Sequence, residues 1–586
     1  MARPLPPGFP IVSIAPPALA DKLRLALPQW CMGLEEPGLA RNLAARALLS
    51  GDAGLFACGA GLALWSWQRA PLEPGRILLL LEALAAFSPP HAAAGPGTGS
   101  LAEFLNRLKS SLEGQPEPDE VAALLAAGDT ALAVRLLLPR LRDPVQGVAW
   151  LASAWDGMLR LGSPDLCAAA LSACPWPGAL LPLRARLAAE LSFLFDAPEA
   201  ALQVLAEVDE SLFGAWAGYL RAELLLRLGQ GDPAKSQPGR ELLAEIFAAL
   251  PWHTHLGLKL HALCFPLPVA APAAAKDATI LIYSWNKAGL VRQTLASLAR
   301  TDITGARIVA LDNGSTDGTG EAMEECRALF APGAMSVVRL PVNIGAPAAR
   351  NWLLSLPEVR ERAWAVFLDD DVILPERWLL RLLGAGQADC LAGGRCGAVG
   401  CRIVSAGRPT CLQSADYQLF RPGAGPRTFE DRPDLVNVFD NCAGGLDIGL
   451  YSYARPAAHV SGCCHALRMS VLAELGGFDI AFSPTQFDDL ERDLRSAVAG
   501  RGAVYCGDVA VAHVQHSSLA KAKGPAAIGQ VMGNKLKLEG RFAPADLTAV
   551  SEAGLAALWA DMSVKWTELA GKWTELAGKW TELAGR

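Results

Sequence analysis

No stretch of this 586-residue chain stays apolar for long enough to cross a bilayer. The most hydrophobic early run, Ala53 to Trp67, carries no charge. It falls short of the roughly 20 residues that a spanning helix needs and predicts a buried helix instead. A basic stripe interleaved with aromatics is also missing. The chain has 52 Lys and Arg against 59 Asp and Glu, a formal net charge of −7, so it offers no track for a phosphate backbone and nucleic acid is not an expected partner. The opening residues, MARPLPPGFPIVSIAPPALADK, lack a long apolar core followed by a small-residue cleavage site. A cytoplasmic protein, or one peripheral at the inner face of the membrane, is therefore expected. Paired C-x-x-C spacing is absent from the run Cys390, Cys396, Cys401, Cys411, which argues against structural zinc. The 14 cysteines are scattered, and Cys463 and Cys464 are adjacent, a poor arrangement for an ordinary disulfide. Reduced thiols, acting mostly as small buried apolar groups, are expected.

The length exceeds what one core supports, so several domains are expected. Residues 1–119 read as helical, interrupted by SPPHAAAGPGTGS. Residues 120–265 are rich in Ala and Leu at helical spacing. There Gly128, Gly162 and Asp196 lie 34 residues apart, as do Leu132, Leu166 and Ala200, then Ala133, Cys167 and Ala201, then Leu137, Leu171 and Leu205. That period resembles tetratricopeptide (TPR) helical hairpins, with an irregular bundle as the alternative. Residues 266–276 read as a Pro/Ala linker. From 277 to 545, strand-like segments such as TILIYSW, ARIVALD, MSVVRLP and WAVFLDD alternate with helical ones. This is the pattern of a parallel sheet covered on both faces, whose ligands sit at the carboxyl ends of the strands. Residues 546–586 form a tail that repeats KWTELAG three times from Lys565 to Gly585. Trp566, Trp573 and Trp580 alternate there with Leu569, Leu576 and Leu583 at heptad spacing, which predicts an amphipathic or coiled-coil helix, or else a mere expansion of a short repeat.

Unusual polar residues collect where the strands end. Tyr283-Ser284-Trp285-Asn286 follows the first, Asp312-Asn313-Gly314-Ser315 the second and Asn343-Ile344-Gly345 the third, while Asp369-Asp370-Asp371 closes the fourth. Each has a plain alternative: Asp-Asn-Gly-Ser is good turn chemistry, and the acids can cap the turn at ILPERW. Three adjacent carboxylates after an apolar strand repel and lose hydration, so a cation or hydrogen-bond donors must compensate. On an extended segment Asp369 and Asp371 face one way and Asp370 another.

In order and placement these motifs resemble the inverting nucleotide-sugar glycosyltransferases of GT-A fold family 2, from about Asp277 to Ser518. The fold class expected is therefore multidomain: an all-α, TPR-like N-terminal part followed by an α/β GT-A (nucleotide-diphospho-sugar transferase) domain. The resemblance implies a nucleotide pocket at Tyr283, Trp285, Asp312 and Asn313, where Asn313 replaces an acid common in relatives and leaves the base open. It implies that Arg350 contacts the diphosphate, where a guanidinium fork suits phosphate oxygens, and that Asp370 belongs to the donor site. Asp369 and Asp371 match the D-x-D motif, which implies Mn2+ or Mg2+. His513 would be a third metal ligand or a diphosphate contact, with His516 as alternate, and His465 would help shape the acceptor wall. Inversion needs one general base on the acceptor hydroxyl, for which Asp489 is the first choice and Asp488 the second. Glu491, Arg492 and Asp493 read as a solvated helix face.

The expected activity is metal-dependent transfer of a sugar from a nucleotide-diphospho-sugar to a glycan, lipid-linked glycan, protein or small metabolite. The helical repeats would bind the acceptor or a protein partner, and loops such as Gln413 to Asp447 would set specificity. Two other readings stand beside it. AVFLDDDV also fits the D-x-D-x-V signature of haloacid-dehalogenase-like phosphatases, although the motif opens that family's domain and here follows three strands. The chain could instead be a scaffold with a degenerate transferase domain.

Overall fold

A computed structural model describes residues 4–12, 15–87, 98–114, 125, 130–425, 427, 434–442, 444–514 and 524–584. Helices fill the first part, from Pro16–Ala26 to Thr254–Cys264. Their starts follow local chemistry. Proline stands in the first turn of several, and the Asp52 carboxylate accepts the Gly54 and Leu55 amides to begin Ala53–Arg69. As its uncharged sequence predicts, that helix is buried on nearly every side. Among the described residues no helix is long and apolar enough to cross a membrane. Within the 34-residue register, Leu137, Leu166, Cys167, Leu171, Ala201 and Leu205 are core residues. Gly128 lies outside the described residues.

The second part contains β1 (Ala278–Ser284), β2 (Arg307–Asp312), β3 (Met335–Arg339), β4 (Trp364–Leu368), β5 (Val372–Ile373) and β6 (Ala398–Ser405). These are followed by β7 (Leu412–Ser414), β8 (Tyr417–Leu419), β9 (Val438–Asp440), β10 (Ala454–Ala457), β11 (Cys464–Arg468) and β12 (Ala503–His513). The main sheet runs β10-β12-β6-β11-β4-β1-β2-β3, with β5 on β12 and β7 on β6. β4, β1, β2 and β3 are parallel, as their alternation with helices predicts. To these the fold adds antiparallel strands that the alternation did not announce: β11 inserts antiparallel between β4 and β6, and β10 pairs antiparallel with β12. Both faces are buried. Ile280 and Ile282 of β1 enter one apolar cluster and Leu281 enters another.

The Pro/Ala segment is packed rather than loose. Ala270 donates its amide to the Leu380 carbonyl, and Ala270 and Ala275 are buried. The N-terminal helices share a continuous apolar cluster with Leu281, Val309, Leu311 and Phe367 of the sheet. A further tie is Arg455 on β10, whose guanidinium is buried against Asp416 and donates to the carbonyls of Cys31 and Met32.

The C-terminal helix Pro544–Ala584 closes the assembly. Trp559 donates its indole N–H to the Pro28 carbonyl at 2.7 Å, and Trp566 donates to Pro251 at 3.2 Å. Trp566 also packs edge-on to Phe247 and against Gly257, where a Cβ would come within 2.2 Å of its ring. The heptad seam of the first KWTELAG copy, Trp566 and Leu569, therefore faces this chain's own core. The side chains of Trp573, Leu576, Trp580 and Leu583 lie outside the described residues. Replacing Trp566 by Ala is expected to lower folding stability by about 3–5 kcal/mol. Val564→Ala, on the exposed side of the same turn, should change it by no more than about 0.5 kcal/mol; chemical denaturation of both variants checks the contrast.

Candidate functional site

At the carboxyl ends of the parallel strands lies a cavity of about 1260 Å³. Chain topology delivers the acids and their partners to it. Where β4 ends, the Asp369 amide donates to the Cys463 carbonyl at 2.9 Å, just before β11. Three residues on, Val372 of β5 pairs with His513 at the end of β12, and the Val514 amide donates to the Asp371 carbonyl at 2.8 Å. A residue near the C-terminal end of the domain is thereby fixed beside the triplet.

The positive partner that the triplet requires is Lys287. Its ammonium lies 2.8 Å from Asp370 Oδ1 and 3.2 Å from Asp371 Oδ2. Asn286, in a left-handed conformation (φ 53°), turns the chain just before it and accepts the Thr316 amide on its side-chain oxygen. Sequence reasoning missed Lys287, although it directly follows the YSWN motif after β1. Asp370 does not point away from the site. It accepts from Lys287 and from the Ser284 hydroxyl while lining the same cavity as Asp369 and Asp371, because the chain turns between β4 and β5 and breaks strict alternation.

His513 Nε2 lies 2.9 Å from Asp371 Oδ1, and His513 Nδ1 lies 2.7 Å from Gln413 Oε1. With Gln413 holding Nδ1–H, Nε2 faces a carboxylate, which requires a proton on it or a cation in its place. Burial works against the charged imidazole, but the hydrogen bond to Asp371 and the Asp369 charge raise its pKa. Burial pushes Asp369 up to about 6, against the pull of Arg350 and His513. A carboxylate oxygen of Asp369, the Cys463 sulfur and a ring nitrogen of His513 all lie within 4.8 Å of one another. This donor set fits a divalent cation. His516 lies outside the described residues.

A further part of the cavity wall comes from the start of the helix Asp488–Val498. Phe487 and Gln486 before it have φ of 69° and 83°, a strained entry beside two acids. Asp488 is bound in a buried ion pair, its Oδ2 2.7 Å from Arg350 Nη1. Arg350 is only 5% exposed, lies among the rings of Phe478, Tyr283 and Phe367 and lines the cavity, with its Nη1 held by Asp488. Asp489 is half-buried on the cavity wall and accepts the Gly462 amide at 3.0 Å. Burial would raise its pKa, but His459 and Arg350 hold it below the usual carboxylate value.

Three expectations change here. Glu491, Arg492 and Asp493 are not a solvated face; each is at most 2% exposed. Glu491 pairs with Arg495 and Arg541, and Asp493 accepts from His459, His465 and Arg492, so a charge-rich helix is accommodated inside the protein by matched partners. His465 is buried against Asp493 and is not part of the wall. His459, stacked on Tyr417 with its Nδ1 2.8 Å from Asp493 Oδ2, takes that place. Asp312, expected in the nucleotide pocket, is not on the wall; it accepts the Ser315 amide at 2.9 Å and faces Arg339. Tyr283, the exposed Trp285 and Asn313 do line the cavity, and Asn313 is held by Asn343 and the Ile344 amide.

Residues 279–476 match the model of the Glycosyl transferase family 2. No match was found among curated proteins. Similar solved structures include GalNAc-T7 with UDP, GalNAc and Mn2+, at 14% identity and a TM-score of 0.32 over 41% of this chain and 43% of that one. The mannosyltransferase PcManGT from Pyrobaculum calidifontis, in complex with GDP-Man and Mn2+, aligns at 21% identity and 0.30 over 58% and 92%. S. aureus TarS aligns at 15% and 0.29 over 44% and 38%. This chain thus spans less than half of the GalNAc-T7 and TarS chains. The curled mixed sheet, together with the match over 279–476, makes the second part a GT-A-like domain, preceded by a helical region.

The two acids at residues 488 and 489 should respond differently to neutralisation. Asp488→Asn leaves a buried guanidinium without its charge partner and is expected to cost about 3–5 kcal/mol of stability. Asp489→Asn, half-buried and able to keep its acceptor oxygen, should melt closer to the parent protein; thermal unfolding of the two variants tests this.

Proposed function

We propose that this chain is a metal-dependent inverting glycosyltransferase that moves a sugar from a nucleotide-diphospho-sugar to an acceptor hydroxyl. The observation that carries the reading is that one cavity is lined by Asp369, Asp371 and His513 and also by Asp489, which His459 and Arg350 hold below the usual carboxylate value. The family 2 match over 279–476 supports it. Trp285 offers an aromatic face to the base, and Tyr283 and Asn313 the adjoining wall. Asp312 supports that wall through the turn that carries Asn313. Asp369, Asp371 and His513 would hold the cation. When bound, a hard divalent cation supplies charge neutralisation for the pyrophosphate and for the nucleoside diphosphate as it departs.

The protein's own groups supply the rest. Lys287 and Ser284 hold Asp370, keeping that carboxylate positioned at the donor end. Arg350 places positive charge near Asp369 and Asp489 while anchoring Asp488. Asp489 takes the proton of the acceptor hydroxyl, and the freed oxygen attacks the anomeric carbon opposite the leaving phosphate, which inverts its configuration. The helical region reaches the same cavity: Arg160 lines it and donates to the Gly444 carbonyl at 2.7 Å. This supports a role for the repeat-like helices in holding the acceptor, whether glycan, lipid-linked glycan or protein, or a protein partner.

Incubated with Mn2+ and a panel of sugar nucleotides, the chain is expected to release nucleoside diphosphate. Asp489→Asn should slow release by about 10²–10⁴-fold, and Asp371→Ala should abolish it. Cleavage of phosphate monoesters without nucleoside diphosphate release would favour a phosphatase, and no turnover with any donor would favour a scaffold.

A further inference from the structure

The donor end of the cavity contains a sulfur. Cys463 sits between Gly462, which holds Asp489, and the start of β11, and its own carbonyl receives the Asp369 amide at 2.9 Å. That bond fixes the backbone of the thiol residue to the backbone of the acid. The Cys463 side chain is 6% exposed and lines the cavity. Its sulfur belongs to the group, with an Asp369 oxygen and a His513 nitrogen, whose atoms lie within 4.8 Å of one another. The three residues come from a loop before β11, the end of β4 and the end of β12, so the tertiary fold alone assembles them. A second observation points the same way. Gln413 Oε1 engages His513 Nδ1 at 2.7 Å and leaves Nε2 directed at the acids, the outer-shell arrangement that orients a metal-binding imidazole.

We propose that Cys463 is a ligand of the divalent-cation site, together with Asp369 and His513, and that this makes the site thiophilic: Co2+, Zn2+ and Cd2+ are held through sulfur, whereas Mn2+ and Mg2+ use the oxygen and nitrogen donors. The inference rests on the cation site of the proposed function and adds a selectivity to it. Hard cations favour carboxylate oxygen, while thiolate selects borderline and soft ions. Affinity for nitrogen, oxygen and sulfur sites also rises from Mn2+ through Co2+ toward the end of the series. Three protein ligands of mixed type leave a coordination position open for a further oxygen, as in sites that act on a substrate. As the cation binds, the sulfur–hydrogen bond is broken, the sulfur–metal bond forms and the proton passes to buffer, with no change in oxidation state.

The test uses the full chain, stripped with chelator and titrated with Co2+ alone. One equivalent of a sulfur-to-cobalt charge-transfer band in the near ultraviolet is expected. The band should vanish in Cys463→Ser and persist in Cys390→Ser, which removes the exposed cysteine. Affinity for Cd2+ should fall at least about tenfold in Cys463→Ser, with Mn2+ affinity unchanged. X-ray absorption of the unmutated protein loaded with Zn2+ gives a readout independent of any variant's folding: one sulfur neighbour at about 2.3 Å beside shorter nitrogen or oxygen neighbours at about 2.0–2.2 Å. Binding of Co2+ and Mn2+ without a sulfur band or sulfur neighbour overturns the thiol ligand and leaves the cation site intact. If neither ion binds, the cation site of the proposed function falls as well. A band that survives Cys463→Ser assigns the sulfur to another cysteine and also overturns the inference.

Discussion

Three carboxylates in succession at the end of a buried strand are tolerable only because cationic groups from distant parts of the chain are brought to them. Lys287 reaches Asp370 and Asp371 from the turn after β1, and His513 reaches Asp371 from the end of β12. Burial alone would drive these acids toward the neutral form, and Asp369, with the least direct pairing, is the one raised to about 6. The balance leaves Asp371 below its ordinary value and Asp370 above it. The protein's own cations thus offset much of the repulsion within the triplet. What favours a cation is the donor set around Asp369, where oxygen, sulfur and nitrogen converge.

The same principle governs the helix beside Arg350. The helix Asp488–Val498 carries six charged residues in its first eight positions, DDLERDLR, yet most of it is buried. All but Asp489 have a charge partner: Asp488 with Arg350, Glu491 with Arg495 and Arg541, and Asp493 with two histidines and Arg492. Such matching offsets part of the desolvation penalty that an isolated charge would carry. It also sorts adjacent acids into different environments, since Asp488 is enclosed by its ion pair while Asp489 borders open space. Two neighbouring carboxylates therefore differ in surroundings through packing and not through chemistry.

The terminal segments are part of this architecture. Arg455 clamps the Cys31 and Met32 carbonyls to the sheet, and Trp559 and Trp566 fasten the last helix to the Pro28 and Pro251 carbonyls. Arg160 extends the helical region to the cavity itself. The helical and α/β parts thus share one apolar cluster, and the cavity wall draws on both.

Much of this was readable from the amino acids in order. Apolar runs of strand length between helical segments announced β1 to β4, and their ends located Tyr283, Asn313, Asp369 and Asp371, because in such sheets the strand ends face one edge. The uncharged run from Ala53 marked a buried helix for the simple reason that it has no polar face to offer water. Other features could not be read locally. Glu491, Arg492 and Asp493 look solvated until one sees the arginines and histidines that surround them, and these partners come from as far as Arg541. Lys287, His459 and Cys463 carried no signal of their own, and His465 and Asp312 carried a misleading one. Sequence alone determined which segments are strands and helices and which edge collects the polar groups, because periodicity and turn chemistry act over a few residues. Only the tertiary structure decided which charge meets which, because Coulomb forces and burial depend on distances through space that span hundreds of residues of chain.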